Sequence, residues 1–487
     1  MILTSKEIKE AEVNSNLSEY ELIQVAGKNL FYSMTEDLEE TDKILILAGC
    51  GNNGADGMVL CQYLCKNHYD VHIAFPYLNP KSDQAKKIYT EFEYPVLSNE
   101  ELDEALKNTT VIVDAIFGFS FHDELPDEIK KLFTKIQTLN LKVFSIDINS
   151  GAESDTGKYD SCTLHTNITY ALGFYKPVHA LNKELKLSNK IKLVPLPIHP
   201  NVNTYKEMNE ALFFENYPKQ ETNEYKGTYG KALLIGGSYG MAGAVGFNII
   251  GARSMGASYI EVGLPDEIYP ILAGKFLYPV YLPFNDYNYL DKLTSAIEYA
   301  KVIAFGSGAT NMPHKQAILN LIIEKANCPI IFDAEAIQLL KENLFILKYA
   351  KKEVILTPHI GEFSAISHLS MEEIKNNRIE TVTNFAKENQ CFVILKGANT
   401  IITSPQKDLY INESGNPALA TAGSGDLLTG ILAGTLLKQR DIFTSLCMGV
   451  YMHGNLADIY SKSHSKININ LEEYIHLADT LFQKYGF

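Results

Sequence analysis

The chain has 487 residues, of which 46% are apolar and 21% charged, as in packed globular proteins with about two to four domains. Its formal charge is −15, and only three of its 43 basic residues are arginine: Arg253, Arg378 and Arg440. An acidic chain with so few arginines lacks the basic stripe of a dedicated nucleic-acid binder. A phosphorylated ligand would therefore be held mainly by backbone amides, lysine or a metal ion.

The first residues, the apolar stretches and the cysteines favour a cytoplasmic protein that does not span a membrane. Residues 1–12 are polar and show no signal peptide. The longest nearly apolar stretch, 427–437, is far shorter than the roughly 20 residues of a spanning helix. The seven cysteines are odd in number and scattered, which indicates a reducing compartment. Cys61 and Cys65 favour helix packing over half a metal site, because no second pair matches their spacing.

In the first half, short apolar runs alternate with helical stretches. The runs cover residues 44–48, 71–75, 111–114 and 143–147, and the helices lie near 57–67, 81–92 and 126–139. An earlier helix over 18–38 begins with a capping box between Ser18 and Glu21. This rhythm predicts an α/β fold with a Rossmann-like, doubly wound parallel sheet.

A second α/β half follows a proline-rich break at residues 195–225. Its predicted strands are 231–235, 259–262, 302–305, 329–332, 354–357 and 391–395, followed by a hairpin of 400–403 and 408–411 and by helices at 425–437 and 442–460. The chain is therefore divided into domains 1–211 and 212–487.

A glycine-rich loop, residues 49–57, follows the first strand and opens a helix. Free amides at such a helix start suit a phosphate. The first three of its glycines fit the G-x-G-x-x-G spacing, yet the paired asparagines and Asp56 are unusual for it. A ligand loop is favoured, and a glycine-rich turn with polar caps stays open as the alternative.

Polar side chains also end two further strands. Asp114 closes one strand, and Asp147 closes another with Ser150 shortly after it. The carboxyl ends of parallel strands converge on one crevice, so these groups and Asn53 would meet there. Such oxygens suit a hard cation, although a single Asp at a strand end is often only a helix cap.

The three motifs at 49–57, 113–118 and 147–151 together resemble the YjeF N-terminal domain, the NAD(P)H-hydrate epimerase. The resemblance implies a potassium ion held by Asn53, Asp114 and Ser150, with Asp147 as acid/base and substrate contact. It assigns further substrate contacts to Asn52, Asn53, Gly54, Ala55, Asp56, Gly118, Phe119, Ser120, Phe121, His122, Asp123 and Glu124.

This chain departs from the epimerase pattern at three positions. Ala55 replaces a glycine, which matters only if that position needs a positive φ. Asn149 replaces a proline. Gln24 replaces a glutamate, which puts a substrate-pocket or dimer contact in doubt.

In the second half, Gly423-Ser424-Gly425-Asp426 opens a strongly apolar helix. Its amides can hold a transferring phosphoryl group, and Asp426 can accept a hydroxyl proton. Alone, the motif could equally be an acidic helix start. The polar strand ends around His359 and Lys396 favour a ligand site.

These motifs, with 226–231, 236–238, 240–244, 357–362 and 396–398, resemble the YjeF C-terminal, ribokinase-like domain, the ADP- or ATP-dependent NAD(P)H-hydrate dehydratase. The resemblance implies catalysis by Asp426 and hydrate contacts by Ala244, Gly308, His359 and Asp426. It implies nucleotide contacts by Lys396, Gly397, Ala398, Asn399, Thr400 and Gly425, with Mg²⁺ accompanying the nucleotide. Gly306-Ser307-Gly308 replaces the family's Gly-Pro-Gly, which we expect to change loop stiffness more than chemistry.

Together the resemblances imply repair of the hydrates NADHX and NADPHX, by epimerisation of the R and S forms and nucleotide-dependent dehydration of the S form. ADP is the predicted donor, because fusion of the two domains is typical of bacteria, whose members use ADP; ATP stays open. A homo-oligomer is implied, with neither nucleic-acid nor membrane partners. The alternatives are a small-molecule kinase of the same fold and a scaffold, although Asp114, Asp147 and Ser150 disfavour the scaffold.

Overall fold

The structure is a computed structural model that describes residues 2–122, 124–199, 207–219, 224–438, 441–467 and 469–487. Asp123 and Arg440 therefore lie outside the described residues. The chain divides into two compact units, Met1–Tyr205 and Lys206–Phe487, here called the first and second units.

The first unit is a seven-stranded parallel sheet with helices on both faces. Its strands are β1 (Lys43–Ala48), β2 (Asp70–Ala74), β3 (Val96–Leu97), β4 (Val111–Ala115), β5 (Lys142–Ile146), β6 (Thr166–Leu172) and β7 (Ser188–Val194). Its helices are α1 (Ser5–Val13), α2 (Glu19–Thr35), α3 (Asn52–Lys66), α4 (Asp83–Thr90), α5 (Asn99–Asn108), α6 (Asp127–Gln137), α7 (Pro177–Ala180) and α8 (Asn182–Leu185).

The strand order of this sheet, β3-β2-β1-β4-β5-β6-β7, reverses between β1 and β4. Alternate residues of β1 pack on opposite faces: Ile44 and Ile46 belong to one buried cluster, and Leu45 and Leu47 to another. This confirms the doubly wound α/β fold. Ligands bind such sheets at the strand carboxyl ends beside the reversal, which here are the ends of β1 and β4.

Several elements of the first unit differ from the sequence prediction. Helix α3 begins at Asn52 rather than near residue 57, because the extended backbone ends at Gly51. The first turn of the helix packs against the Gly49 carbonyl oxygen, and only a glycine fits at position 54, where a Cβ would lie 1.9 Å from that oxygen. Helix α5 was not predicted, since only Leu102 and Leu106 of it are buried. The capping box of Ser18 and Glu21 at α2 is confirmed.

The second unit holds a nine-stranded sheet of order β10-β9-β8-β11-β12-β13-β14-β15-β16. Its strands are β8 (Ala232–Ile235), β9 (Ile260–Pro265), β10 (Val280–Phe284), β11 (Val302–Phe305), β12 (Ile330–Phe332), β13 (Val354–Leu356), β14 (Phe392–Leu395), β15 (Ile401–Thr403) and β16 (Leu409–Ile411). Strands β8 to β14 all pair in parallel. Strand β15 pairs antiparallel with both β14 and β16, so the predicted hairpin is confirmed.

The helices of the second unit are α9 (Glu210–Asn216), α10 (Ala242–Ser254), α11 (Tyr269–Lys275), α12 (Tyr289–Tyr299), α13 (Lys315–Lys325), α14 (Glu335–Leu340), α15 (Ile360–Ser367), α16 (Met371–Asn376), α17 (Arg378–Asn389), α18 (Ser424–Lys438), α19 (Ile442–Tyr460) and α20 (Tyr474–Lys484). Among the described residues of the whole chain, every helix is too short or too polar to cross a membrane.

Helices α10 and α18 approach each other closely enough to fix the start of α18. A Cβ on Gly430 would lie 2.1 Å from the Asn248 carbonyl oxygen, and one on Gly251 would lie 2.3 Å from that of Leu427. Only glycine permits this approach. The close approach lets the side-chain Nδ2 of Asn248 donate to the Asp426 carbonyl oxygen at 2.6 Å.

Candidate functional sites

The first unit contains a cavity of about 860 Å³ at the carboxyl ends of β1, β4 and β5, also bordered by α1 and α2. Ten of the predicted site residues line it: Asn52, Asn53, Asp56, Gly118, Phe119, Ser120, Phe121, His122, Glu124 and Asp147. Gly54 and Ala55 are instead buried within α3, outside the lining. The loops that the motifs singled out thus surround one space of ligand size.

Asp147 has an unusual backbone at the base of this cavity. It directly follows β5 with φ 65°, a conformation that is strained for a residue other than glycine. Its buried carboxylate accepts hydrogen bonds from the backbone amides of Phe119 and Leu172, both at 3.2 Å. The carboxylate is therefore held rigidly between the loop that begins at Phe117, here called the Gly118 loop, and the end of β6.

Lys176, which was not predicted from the sequence, provides a cation beside Asp147. Its side chain is 1% exposed, forms an ion pair with the Asp147 carboxylate and donates to the Leu172 carbonyl oxygen at 2.7 Å. Because Lys176 lies just past the end of β6, prediction of that strand would have drawn attention to it.

His179 fixes the backbone around this pair. Its Nδ1 accepts from the Lys176 amide at 3.0 Å, which leaves Nε2 to donate to the Asp147 carbonyl oxygen at 2.8 Å. Burial and the Lys176 charge lower the pKa of His179 to about 3, so the ring is neutral. His179 is thus a structural support of the pair, and the sequence analysis missed it as well.

Two further carboxyl groups, Glu12 from α1 and Asp56 from α3, line the cavity. Burial raises the pKa of Glu12 to about 7, and the Asp147 carboxylate adds to this. Burial also raises the pKa of Asp56 well above its ordinary value. The cavity therefore holds two carboxyl groups with raised pKa values, a feature that is common in catalytic sites.

The proposed potassium ligands meet beside the cavity. Asn53 Nδ2 donates to the carbonyl oxygens of Phe117 and Ile146, while its buried Oδ1 has no hydrogen-bond partner among the described residues. Ser150 Oγ donates to Asp114 at 2.6 Å and accepts from the Phe117 amide at 2.8 Å. An orphaned amide oxygen beside carboxylate, hydroxyl and carbonyl oxygens fits a hard monovalent cation.

The structure accounts for the departures at residues 55 and 149. Ala55 is helical, so its position needs no glycine. Asn149 is buried, and its Nδ2 donates to the Leu164 and Leu187 carbonyl oxygens at 2.9 and 3.0 Å. This asparagine ties together segments that a proline could not bond. Gln24 is half-buried on α2, outside the cavity lining.

In the second unit, four adjacent parallel strands each end in a polar side chain. Ser307 follows β11, Asp333 follows β12, Thr357 follows β13 and Lys396 follows β14. The Asp333 carboxylate binds Lys396 Nζ at 2.9 Å and Thr357 Oγ1 at 2.7 Å. Asp333 was not predicted from the sequence as a site residue, although it directly follows the predicted strand 329–332.

Asp426 lies in the first turn of α18, beside this row. Burial raises the pKa of Asp426 to about 6, and the Asp333 carboxylate adds to this, while Lys396 opposes it. A Cβ on Gly425 would lie 3.5 Å from Lys396 Nζ, so the lysine borders the start of the helix. Asp426 thus combines partial access with the pKa that suits a base near neutral pH.

The other predicted residues of the second unit lie around the same strand ends. His359 caps α15: its Nδ1 accepts from the Gly361 amide at 3.0 Å, and its side chain is 60% exposed. Ala244 on α10 faces Gly308, where a Cβ would lie 2.7 Å from the Ala244 Cβ. His359 is exposed, and Ala244 and Gly308 are half-buried, so all three are accessible to a ligand.

The predicted nucleotide loop divides by exposure. Gly397 and Ala398 are exposed, whereas Asn399 and Thr400 are buried. Asn399 Nδ2 donates to the Asn412 carbonyl oxygen at 3.3 Å, so this side chain supports the loop from within. Arg378, buried on α17, donates to the Lys396 carbonyl oxygen at 3.5 Å.

Two family models match the chain, one for each α/β unit. The model described as NAD(P)H-hydrate dehydratase matches residues 232–477, and the model described as YjeF-related protein N-terminus matches residues 19–178. The chain thus pairs a YjeF-type first unit with a dehydratase-type second unit.

Curated relatives share this arrangement. A bifunctional NAD(P)H-hydrate repair enzyme of Dictyoglomus turgidum is 30% identical over 98% of this chain and 97% of its own length. An ADP-dependent (S)-NAD(P)H-hydrate dehydratase of Bacillus subtilis is 32% identical over 55% of this chain and 94% of its own. The chain therefore belongs to the family of bifunctional NAD(P)H-hydrate repair enzymes.

A solved structure matches the second unit. The ADP/ATP-dependent NAD(P)H-hydrate dehydratase of Bacillus subtilis, co-crystallised with ATP and Mg²⁺, superposes with a TM-score of 0.50 and 28% identity. The match covers 57% of this chain and 97% of that one. The ribokinase-like α/β fold expected for this half is confirmed.

Proposed function

We propose that residues 1–211 epimerise the hydrates NADHX and NADPHX and that residues 212–487 dehydrate the S form with ADP. The observation that carries this is the presence of two separate acid/base clusters, one in each unit. Asp147 and Lys176 form the first at the cavity, and Asp426, Asp333 and Lys396 form the second.

The first cluster suits epimerisation. Inverting a carbon that bears a hydroxyl beside a ring nitrogen requires a bond at that carbon to open and re-form. One proton is delivered and one removed in the process. The Asp147 carboxylate can accept a proton and the neighbouring Lys176 ammonium can donate one. The Gly118 loop and the Asn52–Asp56 turn would hold the nucleotide above them.

Potassium would be held by Asn53, Asp114 and Ser150. When bound, the ion would supply positive charge beside the N-terminus of α3, where a phosphate of the nucleotide would bind. The orphaned Asn53 Oδ1 supports this assignment. Asn53 and Ser150 also position the loop, because both hydrogen-bond the Phe117 backbone at the start of the Gly118 loop.

The second cluster suits phosphoryl transfer followed by elimination. Asp426 accepts the proton of the ring hydroxyl as its oxygen attacks the terminal phosphorus of ADP, which releases AMP. The ring nitrogen's electron pair then expels phosphate, because phosphate leaves more readily than hydroxide, and loss of a proton from the neighbouring ring carbon restores the double bond of NAD(P)H. The α18 amides and Lys396 would stabilise the charge on the transferring group.

ADP as donor is supported by the fused arrangement of the two units and by the named donor of the shorter Bacillus relative. Mg²⁺ would accompany the nucleotide, as in the structure of the Bacillus enzyme with ATP. Within the part of the chain that the structure describes, no disulfide joins two cysteines, which supports a reducing, cytoplasmic setting. The family resemblance supports a homo-oligomer, which analytical ultracentrifugation would test.

Product analysis tests the dehydration and separates it from kinase activity. With the S hydrate and ADP, we expect NADH, AMP and inorganic phosphate in equal amounts. A stable phosphate ester would instead indicate a small-molecule kinase. Turnover with ATP but not with ADP would overturn the donor assignment.

A further inference from the structure

Residues 412–423, here called the linking segment, connect two parts of the proposed nucleotide site. At the start of the segment, the Asn412 amide donates to the Thr400 carbonyl oxygen at 2.8 Å, and Asn399 Nδ2 donates to the Asn412 carbonyl oxygen at 3.3 Å. At its end the chain enters the first turn of α18. The linking segment therefore joins the nucleotide loop to the helix start whose amides would hold the transferring phosphoryl group.

The linking segment depends on a neighbouring helix for its position. All of its residues are described, and they form one short helical turn, Pro417–Leu419, in an otherwise irregular stretch. Such a stretch is held by the elements against which it packs. Gly415 has a φ of 96°, and a Cβ on Gly454 of α19 would lie 2.2 Å from Ser414 Oγ. Helix α19 thus packs directly on this part of the segment.

Asp458, four residues after Gly454 on α19, binds the same turn with both oxygens of its carboxylate. Oδ2 accepts from the Gly415 amide at 2.7 Å, and Oδ1 accepts from Asn416 Nδ2 at 2.8 Å. Hydrogen bonds to an ionised acceptor are shorter and stronger than neutral ones. Asn416 Oδ1 accepts in turn from the Ala418 amide at 3.1 Å and caps the short helical turn. The carboxylate therefore fixes the path of the chain beyond Gly415.

The same helix contacts the residue that follows the linking segment. His453 is buried on α19, and its Nε2 lies 3.2 Å from Ser424 Oγ at the start of α18. His453 and Asp458 are five residues apart, which is about 7.5 Å along the axis of a helix. Because one helix carries both side chains, the Gly415 turn and the start of α18 are held at a fixed separation.

We propose that Asp458 is a positioning residue for the nucleotide. By fixing the turn at Gly415 and Asn416, its carboxylate sets the spacing between the nucleotide loop and the start of α18, where ADP is held. This rests on the proposed function of the second unit. Asp458 acts through the linking segment rather than on the reacting atoms, so its loss should weaken ADP binding and leave the chemical step unchanged.

The test is the steady-state kinetics of S-hydrate dehydration in Asp458→Asn. The new amide nitrogen cannot accept a hydrogen bond, so one of the two bonds to the turn is lost together with the charge. We expect the KM for ADP to rise about tenfold. The kcat and the KM for the hydrate should stay within about twofold of the parent values. A variant that is only less stable would instead lower the active fraction, and thus kcat, at an unchanged KM.

Exchange of the two side chains provides a rescue. In the double variant Asp458→Asn with Asn416→Asp, the new amide nitrogen can donate to the new carboxylate, and the new amide oxygen can accept from the Gly415 amide. The KM for ADP should return to the parent value. Asn416→Asp alone places two carboxylates against each other, so it should raise this KM at least as far as Asp458→Asn.

Asp479→Asn is the matched control, because it removes an exposed carboxylate from α20 of the same unit. It should leave kcat and both KM values unchanged. The rise in melting temperature that ADP produces is a second readout, which should shrink in Asp458→Asn and recover in the double variant. If Asp458→Asn does not fold, Asn416→Ala removes one of the two hydrogen bonds and should raise the KM for ADP less.

Three results would refute the role of Asp458 and leave the proposed function standing. The first is an unchanged KM for ADP in folded Asp458→Asn. The second is a raised KM that the double variant does not restore. The third is an equal rise in the KM for ADP and for the hydrate, because the whole site would then have moved. Failure of the parent protein to use ADP would instead overturn the proposed donor.

Discussion

The Lys176 ammonium group donates to the Asp147 carboxylate at the ends of two adjacent parallel strands, where both side chains are almost completely buried. Lys176 belongs to the turn after β6, and Asp147 directly follows β5. The parallel sheet thus places an acid and a base side by side at the base of the cavity. Neither charge is tolerated there without the other.

Substitution of Lys176 tests this pair. Lys176→Met removes the acid and leaves the Asp147 carboxylate buried without its cation, so epimerisation should fall by about 100-fold or more. The rate at which R and S hydrates interconvert, followed by chromatography, measures this. Dehydration of pure S hydrate should be unchanged, because its site lies in the second unit.

The matched control is Lys190→Met, which removes an exposed lysine from the neighbouring strand β7. It should leave both activities at the parent level. Parent-level epimerisation in Lys176→Met would show that Asp147 works without this partner.

Asn53 tests the cation site. Asn53→Ala removes the orphaned Oδ1, so we expect a higher potassium concentration for half-maximal epimerisation. A second readout avoids activity: in the parent protein potassium should raise the melting temperature of the first unit, and in Asn53→Ala this rise should shrink. Asn67→Ala, at the opposite end of α3, is the control. An equal rise in all three proteins would count against the assignment.

Asp426 carries a prediction for both activity and stability. With a pKa of about 6, Asp426 becomes protonated as the pH falls, so dehydration should decline below about pH 6. Asp426→Asn should abolish dehydration and leave epimerisation intact. Loss of both activities in the folded variant would contradict two independent sites.

The stability effect of Asp426 has a defined sign. The fold disfavours the ionised carboxylate, so a stability cost is present above pH 6 and fades as the pH falls toward the ordinary carboxyl value of about 4. Asp426→Asn should therefore raise the melting temperature of the second unit at pH 7.5 and raise it less at pH 5. An equal difference at both pH values would show that ionisation is not the cause.

Substitution of the Lys396–Asp333 ion pair tests the polar side chains at the strand ends of the second unit. Asp333 is 2% exposed, so Lys396→Met leaves a buried charge unpaired and should destabilise the second unit by about 3–5 kcal/mol. Denaturant unfolding measures this. Lys396→Met combined with Asp333→Asn should recover part of the loss. No recovery would mean that the packing of the lysine stem, rather than the pair, stabilises the fold.

The sequence predicted those parts of the sites that follow apolar strands and lie in recognisable motifs. Asp114, Asp147 and Lys396 were found in this way, because parallel strands converge at their carboxyl ends. Lys176 was missed because β6, with Thr166, Asn167 and Thr169, does not appear as an apolar run.

Contacts across the sheet were beyond the reach of pattern and spacing. Asp333 follows a predicted strand, yet its importance comes from Lys396 and Thr357 on other strands. Ser307 is similar, since only the fold brings Asn248 and Asp333 to its hydroxyl. Such networks depend on side-chain direction after packing, which no local sequence pattern encodes.

The most direct measurement is the recovery of NADH from an equilibrated mixture of R and S hydrates with the full chain, potassium and ADP. Two working sites predict conversion of the whole mixture, with the R fraction consumed far faster than it epimerises spontaneously. Conversion that stops after the S fraction would contradict an active first unit, and no conversion with either ADP or ATP would contradict the account of the second.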